Sequence, residues 1–309
     1  MHIQNIAALT DFSTQAEQAL DRAALLAAQH EAILWLVYAT DEQDPRFANP
    51  QARLEQRARQ LARRHSIDVV ARDFDGYKGV AERAMAAAAG ADLLVLDRRV
   101  ERLWNKPWRG AALAHCLRYS PCPVLVVQQA CASDEDDATV GESYARMLVA
   151  VTGSPRSREV LHFAAGLQQD TAVDLFQSRD PGISAPQEES EFEVLEQLRD
   201  ELKRETAEAR RLRIKDADDA RRNRVDSQNG TRDVTRQIMV QQQRSGADLI
   251  VIGAPRKHWA DRWALSARGA RLASLVTCDV LVCGQLPQER DRPLPIGLGS
   301  RKGWLQFRF

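Results

Sequence analysis

The sequence lacks the features that define several classes of protein. No apolar run approaches the ~20 residues that a membrane-spanning helix needs, and the polar residues 1–5 are unlike a signal peptide. Lysine plus arginine equals aspartate plus glutamate, at 43 each, so no net charge attracts nucleic acid or an anionic membrane. These absences predict a cytoplasmic protein that has neither nucleic-acid nor membrane partners.

Catalytic and metal-binding motifs are also missing. The five cysteines form no C-x-x-C pair, and their odd number argues against a disulfide framework. Cys122 and Cys278 each begin an apolar segment, where a thiol usually behaves as a small buried hydrophobe. The six histidines lack metal-binding spacing, and the chain has no Walker, dinucleotide-binding or nucleophile-elbow motif. The sequence therefore predicts no metal site and no enzyme.

What the sequence does contain is an internal repeat. Gly-Ala-Asp-Leu-Leu-Val-Leu-Asp at 90–97 returns as Gly-Ala-Asp-Leu-Ile-Val-Ile-Gly at 246–253, and Cys-Pro-Val-Leu-Val at 122–126 returns as Cys-Asp-Val-Leu-Val at 278–282. Both pairs share one interval, so the repeated unit is a whole domain. We predict domains at 1–129 and 145–286, an acidic linker at 130–144, and a Pro- and Gly-rich tail at 287–309 that should form no regular structure on its own.

Short apolar segments alternate with helical stretches in the first half. Strands are predicted at 3–10, 32–40, 67–74, 92–96 and 122–128, and helices at 13–29, 49–64, 80–89 and 109–119. Strands that are apolar on both faces indicate a parallel sheet covered by helices on each side. Right-handed crossovers then predict an α/β fold with a doubly wound sheet.

The second half repeats this series with one departure. Strands are predicted at 147–152, 173–177, 249–252 and 280–283, and helices at 157–168, 231–244 and 266–276. Residues 188–213 have the spacing of a long amphipathic helix, either the outer helix of the domain or a docking helix. The third strand is expected within 221–227.

Together these segments resemble the universal stress protein family. The resemblance depends on the apolar first strand with its small polar turn, the late Gly-Ala-Asp-Leu-Ile-Val-Ile-Gly strand, and the helix leading into Cys-Pro-Val-Leu-Val-Val. It covers both halves, as in tandem members and particularly the E-type. It implies two flavodoxin-like (Rossmann-like) domains with strand order 3-2-1-4-5, pairing of the domains as an intramolecular pseudo-dimer, and a role in the bacterial stress response.

The resemblance also implies a nucleotide site. Many members bind ATP through Gly-x-x-Gly, nine residues, then Gly-Ser or Gly-Thr, between the fourth strand and the fourth helix. Such glycines let backbone N–H groups approach phosphates, and the helix N-terminus adds partial positive charge. An aspartate that closes the first strand commonly contacts the nucleoside.

Neither half of this chain keeps the whole signature. The corresponding positions in the first half are Asp11, Asp97, Val100, Gly110 and Ala111. Those in the second half are Thr152, Gly253, Arg256, Ser266 and Ala267. Valine does not readily adopt positive φ, and Asp97 adds negative charge where phosphates would lie. The nucleotide loops are therefore predicted to be degenerate, with no cofactor.

Two functions remain open. One is a non-enzymatic protein that acts in stress adaptation through contacts with a protein partner or a second copy. The other is a regulatory switch that binds ATP or AMP in one half, with Asp11 and Gly110 near the base and ribose, or Gly253 and Arg256 near phosphate. Arginines around the loops, at 98, 99, 102, 109, 256, 262 and 268, hold an anion or line a solvated face.

Aromatic residues mark two further candidate contact regions. Each predicted loop holds two tryptophans four residues apart, which fill the cleft, pack on a helix or meet a partner: Trp104, Trp108, Trp259 and Trp263. The tail ends with three aromatic residues among cations, a composition suited to partner binding: Trp304, Phe307 and Phe309. Alternatively, the tail folds back over its own domain or frays.

Overall fold

The computed structural model describes residues 3–40, 49–74, 79–98, 112–128, 144–151, 156–167, 171–177, 197, 212–214, 234–253, 259–286 and 304–307. The chain divides into two compact units. The first domain comprises His2–Glu142 together with Gly284–Phe309, and the second comprises Ser143–Cys283 with Met1.

The first domain alternates strands and helices from its start. Its elements are β1 (Asn5–Thr10), α1 (Thr14–His30), β2 (Ile33–Tyr38), α2 (Pro50–His65), β3 (Val69–Arg72), α3 (Val80–Ala88), β4 (Leu93–Asp97), α4 (Ala112–Tyr119) and β5 (Val124–Val127). These strands pair in parallel in the order β3-β2-β1-β4-β5. This pairing confirms the predicted order 3-2-1-4-5. Right-handed crossovers leave few other arrangements for a chain in which strands and helices alternate in this way.

Local signals set the ends of the first two helices. The Ser13 hydroxyl accepts a hydrogen bond from the N–H of Ala16 and caps α1, and the Asn49 side chain caps α2 by accepting from Ala52. Pro50 follows Asn49 at the first helical position, where its missing N–H costs nothing. Both helices end at a residue in the left-handed region, Glu31 and Ser66. The strands between these helices are largely buried.

The second domain repeats the arrangement. Its elements are β6 (Arg146–Val151), α5 (Arg156–Leu167), β7 (Ala172–Gln177), β8 (Leu212–Ile214), α6 (Val234–Ser245), β9 (Leu249–Gly253), α7 (Trp259–Leu275) and β10 (Asp279–Cys283). The strands again pair in parallel, in the order β8-β7-β6-β9-β10. This is the same 3-2-1-4-5 order as in the first domain.

The aspartate of the repeated Gly-Ala-Asp motif has a structural role. In the first domain, Asp92 Oδ2 accepts hydrogen bonds from the N–H groups of Gln4 and Asn5, at 2.9 and 3.0 Å. In the second domain, the two carboxylate oxygens of Asp248 accept from Ala145 and Arg146, at 2.7 and 3.0 Å. Each carboxylate satisfies backbone donors at the start of the neighbouring first strand. Both copies therefore retain the aspartate for the same reason.

Two predictions for the second domain are wrong in their boundaries. The third strand lies at Leu212–Ile214, whereas residues 221–227 fall outside the described part of the chain. The predicted helix 188–213 consequently cannot extend to its end, because Leu212 and Arg213 pair with β7; of its other residues only Gln197 is described, and it is helical. A three-residue edge strand carries too little periodicity to compete with a helical pattern, so its pairing with β7 decides its conformation.

The C-terminal tail adds a strand to the first domain. β11 (Trp304–Phe307) pairs antiparallel with β3, so this sheet has a sixth strand and is not wholly parallel as predicted. A segment with no regular structure of its own becomes a strand when an existing edge supplies hydrogen-bond partners. The tail thus folds back, but on the first domain rather than over its own, the second.

The described residues also bear on the predicted absences. No helix among them is long and apolar enough to cross a membrane. Nor do they contain a group of three or more His, Cys, Asp or Glu side chains that could hold a metal ion.

Candidate nucleotide site

In the first domain the candidate site lies beyond the carboxyl ends of β1 and β4. The turn after β1 is held by its own side chains, since Thr10 Oγ1 accepts from the N–H of Phe12 at 2.9 Å and Asp11 Oδ1 accepts from the N–H of Ser13 at 2.8 Å. Phe12 itself has a φ of 62°, in the left-handed region that non-glycine residues rarely adopt. Asp11 therefore shapes the entry to α1, a role independent of any nucleoside.

Sequence reasoning missed an aromatic cluster at this edge of the sheet. The Phe12 ring stacks on Tyr38 at the end of β2, with ring centroids 5.0 Å apart and an interplanar angle of 19°. The Arg53 guanidinium lies 4.9 Å from the Phe12 centroid, and Arg83 donates to the Tyr38 carbonyl at 3.1 Å. Only the chain topology brings these residues together, so no local sequence pattern marks them. The cluster covers the β1–β2 side of the site with rings and cations.

The negative charge predicted at the end of β4 is present. Asp97 is the last residue of that strand and is 6% exposed. α4 begins at Ala112. Val100, Gly110, Ala111, Trp104 and Trp108 lie outside the described residues. Of the first-half candidates the structure thus places Asp11 and Asp97, at the ends of the adjacent parallel strands β1 and β4.

In the second domain Gly253 is in close contact with a helix. A Cβ at this position would overlap Cγ2 of Val160 in α5 and would lie 3.3 Å from its Cγ1. Interiors are close-packed, so a site of this kind admits glycine alone unless the neighbour shrinks. The tight packing of α5 accounts for Gly253 without reference to phosphate.

The repeat shows a reciprocal exchange of size at this contact. When β1 is aligned with β6 and β4 with β9, Ala19 of α1 is equivalent to Val160, and Asp97 is equivalent to Gly253. Both helix residues are buried. The first domain combines a small helix residue with a side chain at the strand end, whereas the second combines a larger helix residue with none. The difference in side-chain size at these equivalent positions is therefore reciprocal between the two domains.

The other described position of the second-half signature is inside a helix. α7 begins at Trp259, so Ser266 lies about two turns in. Its hydroxyl donates to the carbonyl oxygen of Trp263 at 3.0 Å, and its side chain is fully buried. Within an α-helix the backbone N–H is bonded to the carbonyl four residues earlier. Ser266 and the exposed Ala267 therefore present no free N–H groups at a helix N-terminus.

The extended start of α7 also corrects the predicted loop and helix boundary. Trp259 and Trp263 were expected in a loop, with the helix starting at 266, but both lie on the first turns of α7. Residues 259–266 contain no glycine or proline, so nothing local prevents the helix from starting early. The Trp263 side chain is 49% exposed. Thr152 and Arg256 lie outside the described residues.

The described cysteines are buried thiols. Cys116, Cys122 and Cys283 are buried and Cys278 is partly so, and none of these four is in a disulfide. Burial raises the pKa of Cys116 to about 12 and that of Cys278 to about 12. A thiol that stays protonated at neutral pH is a poor nucleophile. These residues therefore behave as the small core hydrophobes that the sequence predicts.

The geometry defines a protein of two doubly wound α/β domains, each with its candidate site at the carboxyl edge of a parallel sheet. The model of the universal stress protein family matches residues 2–128 and 143–284, which is most of the chain. The chain therefore belongs to the universal stress protein family, as a tandem member with two copies of the domain. The predicted family and fold class are confirmed.

Solved structures agree with this assignment. A universal stress protein from Archaeoglobus fulgidus DSM 4304 is similar over 92% of this chain and 98% of its own, with 12% identity and a TM-score of 0.60. A functionally unknown protein from Pseudomonas aeruginosa PAO1 is similar over 91% and 92%, with 18% identity and a TM-score of 0.56. A putative universal stress protein from Pseudomonas aeruginosa UCBPP-PA14 covers the same shares at 18% identity and a TM-score of 0.54. Likeness at such identities shows the fold alone. No curated protein matches the sequence.

Proposed function

We propose that this tandem universal stress protein is not an enzyme, has lost the family's mode of nucleotide binding, and acts in stress adaptation through contacts with other proteins. The observation that carries the proposal is the position of Ser266 within α7. A phosphate cradle needs unpaired N–H groups at the start of a helix. In the second domain the signature position is instead occupied by the interior of a helix.

Packing supports the same conclusion at Gly253. This glycine is the one residue of the family signature that the second half retains in place, and Val160 explains it. In the first domain the equivalent residue is Asp97, whose carboxylate would repel a polyphosphate at the end of β4. The two domains thus lose the site by different means.

A nucleotide switch confined to the first domain is the second candidate. It is favoured by Asp11, which closes β1, and by α4, which begins at Ala112 directly after Gly110 and Ala111. The helix start is therefore at the place that the signature requires. ATP or AMP would have to be held there by contacts other than the lost glycines.

Isothermal titration of the full-length protein with ATP, ADP and AMP, in the presence of magnesium, separates the two candidates. Absence of heat up to millimolar ligand supports the scaffold. Micromolar binding of any of the three establishes the switch and refutes the scaffold.

If binding is found, Asp11 variants locate it. Asp11→Asn retains an acceptor for the Ser13 N–H and removes the charge, so the turn into α1 is preserved. Loss of affinity in this variant assigns the ligand to the first domain, and unchanged affinity assigns it elsewhere.

The kind of protein contact is also a part of this proposal. A protein partner, a homodimer, or pairing of the two domains within one chain each satisfies a contact role, and the aromatic tail with Trp304, Phe307 and Phe309 is the proposed contact segment. Sedimentation of the purified chain over a hundredfold concentration range distinguishes a monomer from a homodimer.

A further inference from the structure

The edge of the first domain's sheet is occupied by a strand from the far end of the chain. Antiparallel pairing joins Trp304 to Arg72, Leu305 to Ala71, Gln306 to Val70 and Phe307 to Val69. Every residue of β3 therefore has a partner in β11. The added strand also contacts α2, so it lies against the body of the domain.

Without β11, β3 would be an edge strand that could pair with another extended segment. Its inner side is bonded to β2, and its other backbone donors and acceptors point outward. Val69, Val70 and Ala71 are apolar and buried, so three of the four residues of β3 carry none of the charges or prolines that usually block an edge, and the charged residue, Arg72, is stacked on Trp35. An edge of this kind accepts an extended segment by main-chain hydrogen bonds.

The twin edge in the second domain is different. β8 (Leu212–Ile214) pairs with β7, and no strand within the described part of the chain is paired with its outer side. Among the described residues, strand addition is thus seen at the β3 edge of the first domain and not at the β8 edge of the second.

The register places an aromatic residue opposite an arginine stacked on tryptophan. The Arg72 guanidinium lies 3.3 Å from the centroid of the Trp35 ring, and Arg72 is 9% exposed. Trp304 is the residue paired with Arg72. The register therefore fixes which residue of β11 lies opposite each residue of β3, and a strand of another sequence would place other residues there.

We propose that the outer edge of β3 is a strand-acceptor site, filled within one chain by β11, and that the same strand of a second copy occupies it in trans. This deepens the protein-contact role by naming its surface. A segment in trans makes the same main-chain contacts as the segment in cis, which is why exchange of an identical element is a low-cost route to a dimer. β11 of the same chain competes with β11 of a second copy for this edge. Because β11 of the same chain is tethered, its effective concentration is of the order of millimolar.

Hydrogen exchange of the full-length protein tests whether β11 covers the edge. The double variant L305P/Q306P removes two successive N–H groups, one of which must face β3 whatever the phase of the ladder. Its outward β3 amides should exchange at least tenfold faster than in the wild type, while β1 amides do not change. The matched control L305V/Q306T retains both amides and strand propensity and should behave like the wild type. Equal exchange of β3 in the proline variant would overturn the proposal.

A labelled peptide of residues 301–309 tests occupancy in trans. It should bind saturably to L305P/Q306P, and at least tenfold more weakly to the wild type and to L305V/Q306T, whose edges are filled. No binding to the proline variant, or equal binding to all three proteins, refutes the acceptor site. Equal binding of a scrambled peptide refutes the assignment to this strand. The result does not depend on nucleotide, so it stands or fails separately from the titration with ATP.

Discussion

The contact between Gly253 and Val160 makes a quantitative prediction about why the glycine is present. Gly253→Ala introduces a methyl group that overlaps Cγ2 of Val160. Overpacking of this kind typically costs about 1–3 kcal/mol. Val160→Ala alone removes buried methyl groups and leaves a small cavity, at about 2 kcal/mol.

The double variant decides between packing and any other role. In V160A/G253A the new methyl group enters the space that the valine vacates, so the total cost should fall short of the sum by about 1–2 kcal/mol. The pair then resembles the equivalent positions of the first domain, where the helix residue is Ala19 and the strand ends with Asp97. Gly246→Ala provides a control, since its φ of +68° is strained and no heavy atom lies within 4 Å of its added Cβ. Its cost should not change when combined with Val160→Ala.

Hydrogen exchange measured as a function of urea is the appropriate assay, because a protein with two domains need not unfold in one step. Amides of β9 report the second domain and amides of β4 report the first. The five variants should change β9 protection and leave β4 unaffected. Strict additivity of V160A and G253A would refute the packing explanation and return Gly253 to a ligand-binding role.

Two further predictions concern single groups. Asp248→Asn should destabilise the second domain by about 1 kcal/mol, measured by the same exchange experiment. The reason is that Asp248 accepts one N–H group on each of its oxygens, and the amide nitrogen of asparagine cannot accept the second of them. Cys116 and Cys278 should resist iodoacetamide at pH 8 until the chain is unfolded, since burial raises the pKa of each to about 12. Unfolded thiols lose their protons near the ordinary value of 9.0, so unfolding should become easier as pH rises from 9 towards 12, and less so in Cys116→Ala.

Long, repeated elements were predictable from the sequence, and short or displaced ones were not. The strand that follows Gly-Ala-Asp was predictable because the motif occurs twice in the sequence. Its aspartate accepts hydrogen bonds from equivalent N–H groups in the two domains. β8 has three residues and is a strand only because β7 pairs with it. Similarly, the early start of α7 could not be read from residues 259–266, whose composition suits either a loop or a helix.

The candidate site was predicted in part. The proposed degeneracy depends on the residues at Asp97 and Ser266, which can be read directly from the sequence. The cluster of Phe12, Tyr38 and Arg53 was not predictable, because its members come from three elements that only the topology brings together. The same is true of Val160, which gives Gly253 a packing role that sequence alone cannot distinguish from phosphate binding.

The sequence by itself determined the number of domains and their α/β class, because periodicity and repetition are properties of the chain read along its length. Its motifs also carried the resemblance to the family, and that resemblance implied the order of the strands. The tertiary structure decided which residues distant in sequence are in contact. Ser266 lies within a helix, and Gly253 packs against the side chain of Val160. β11, which comes from the opposite end of the chain, pairs with the edge of β3. Such contacts join residues that are distant in sequence, and no local pattern encodes which distant backbone will complete a sheet edge.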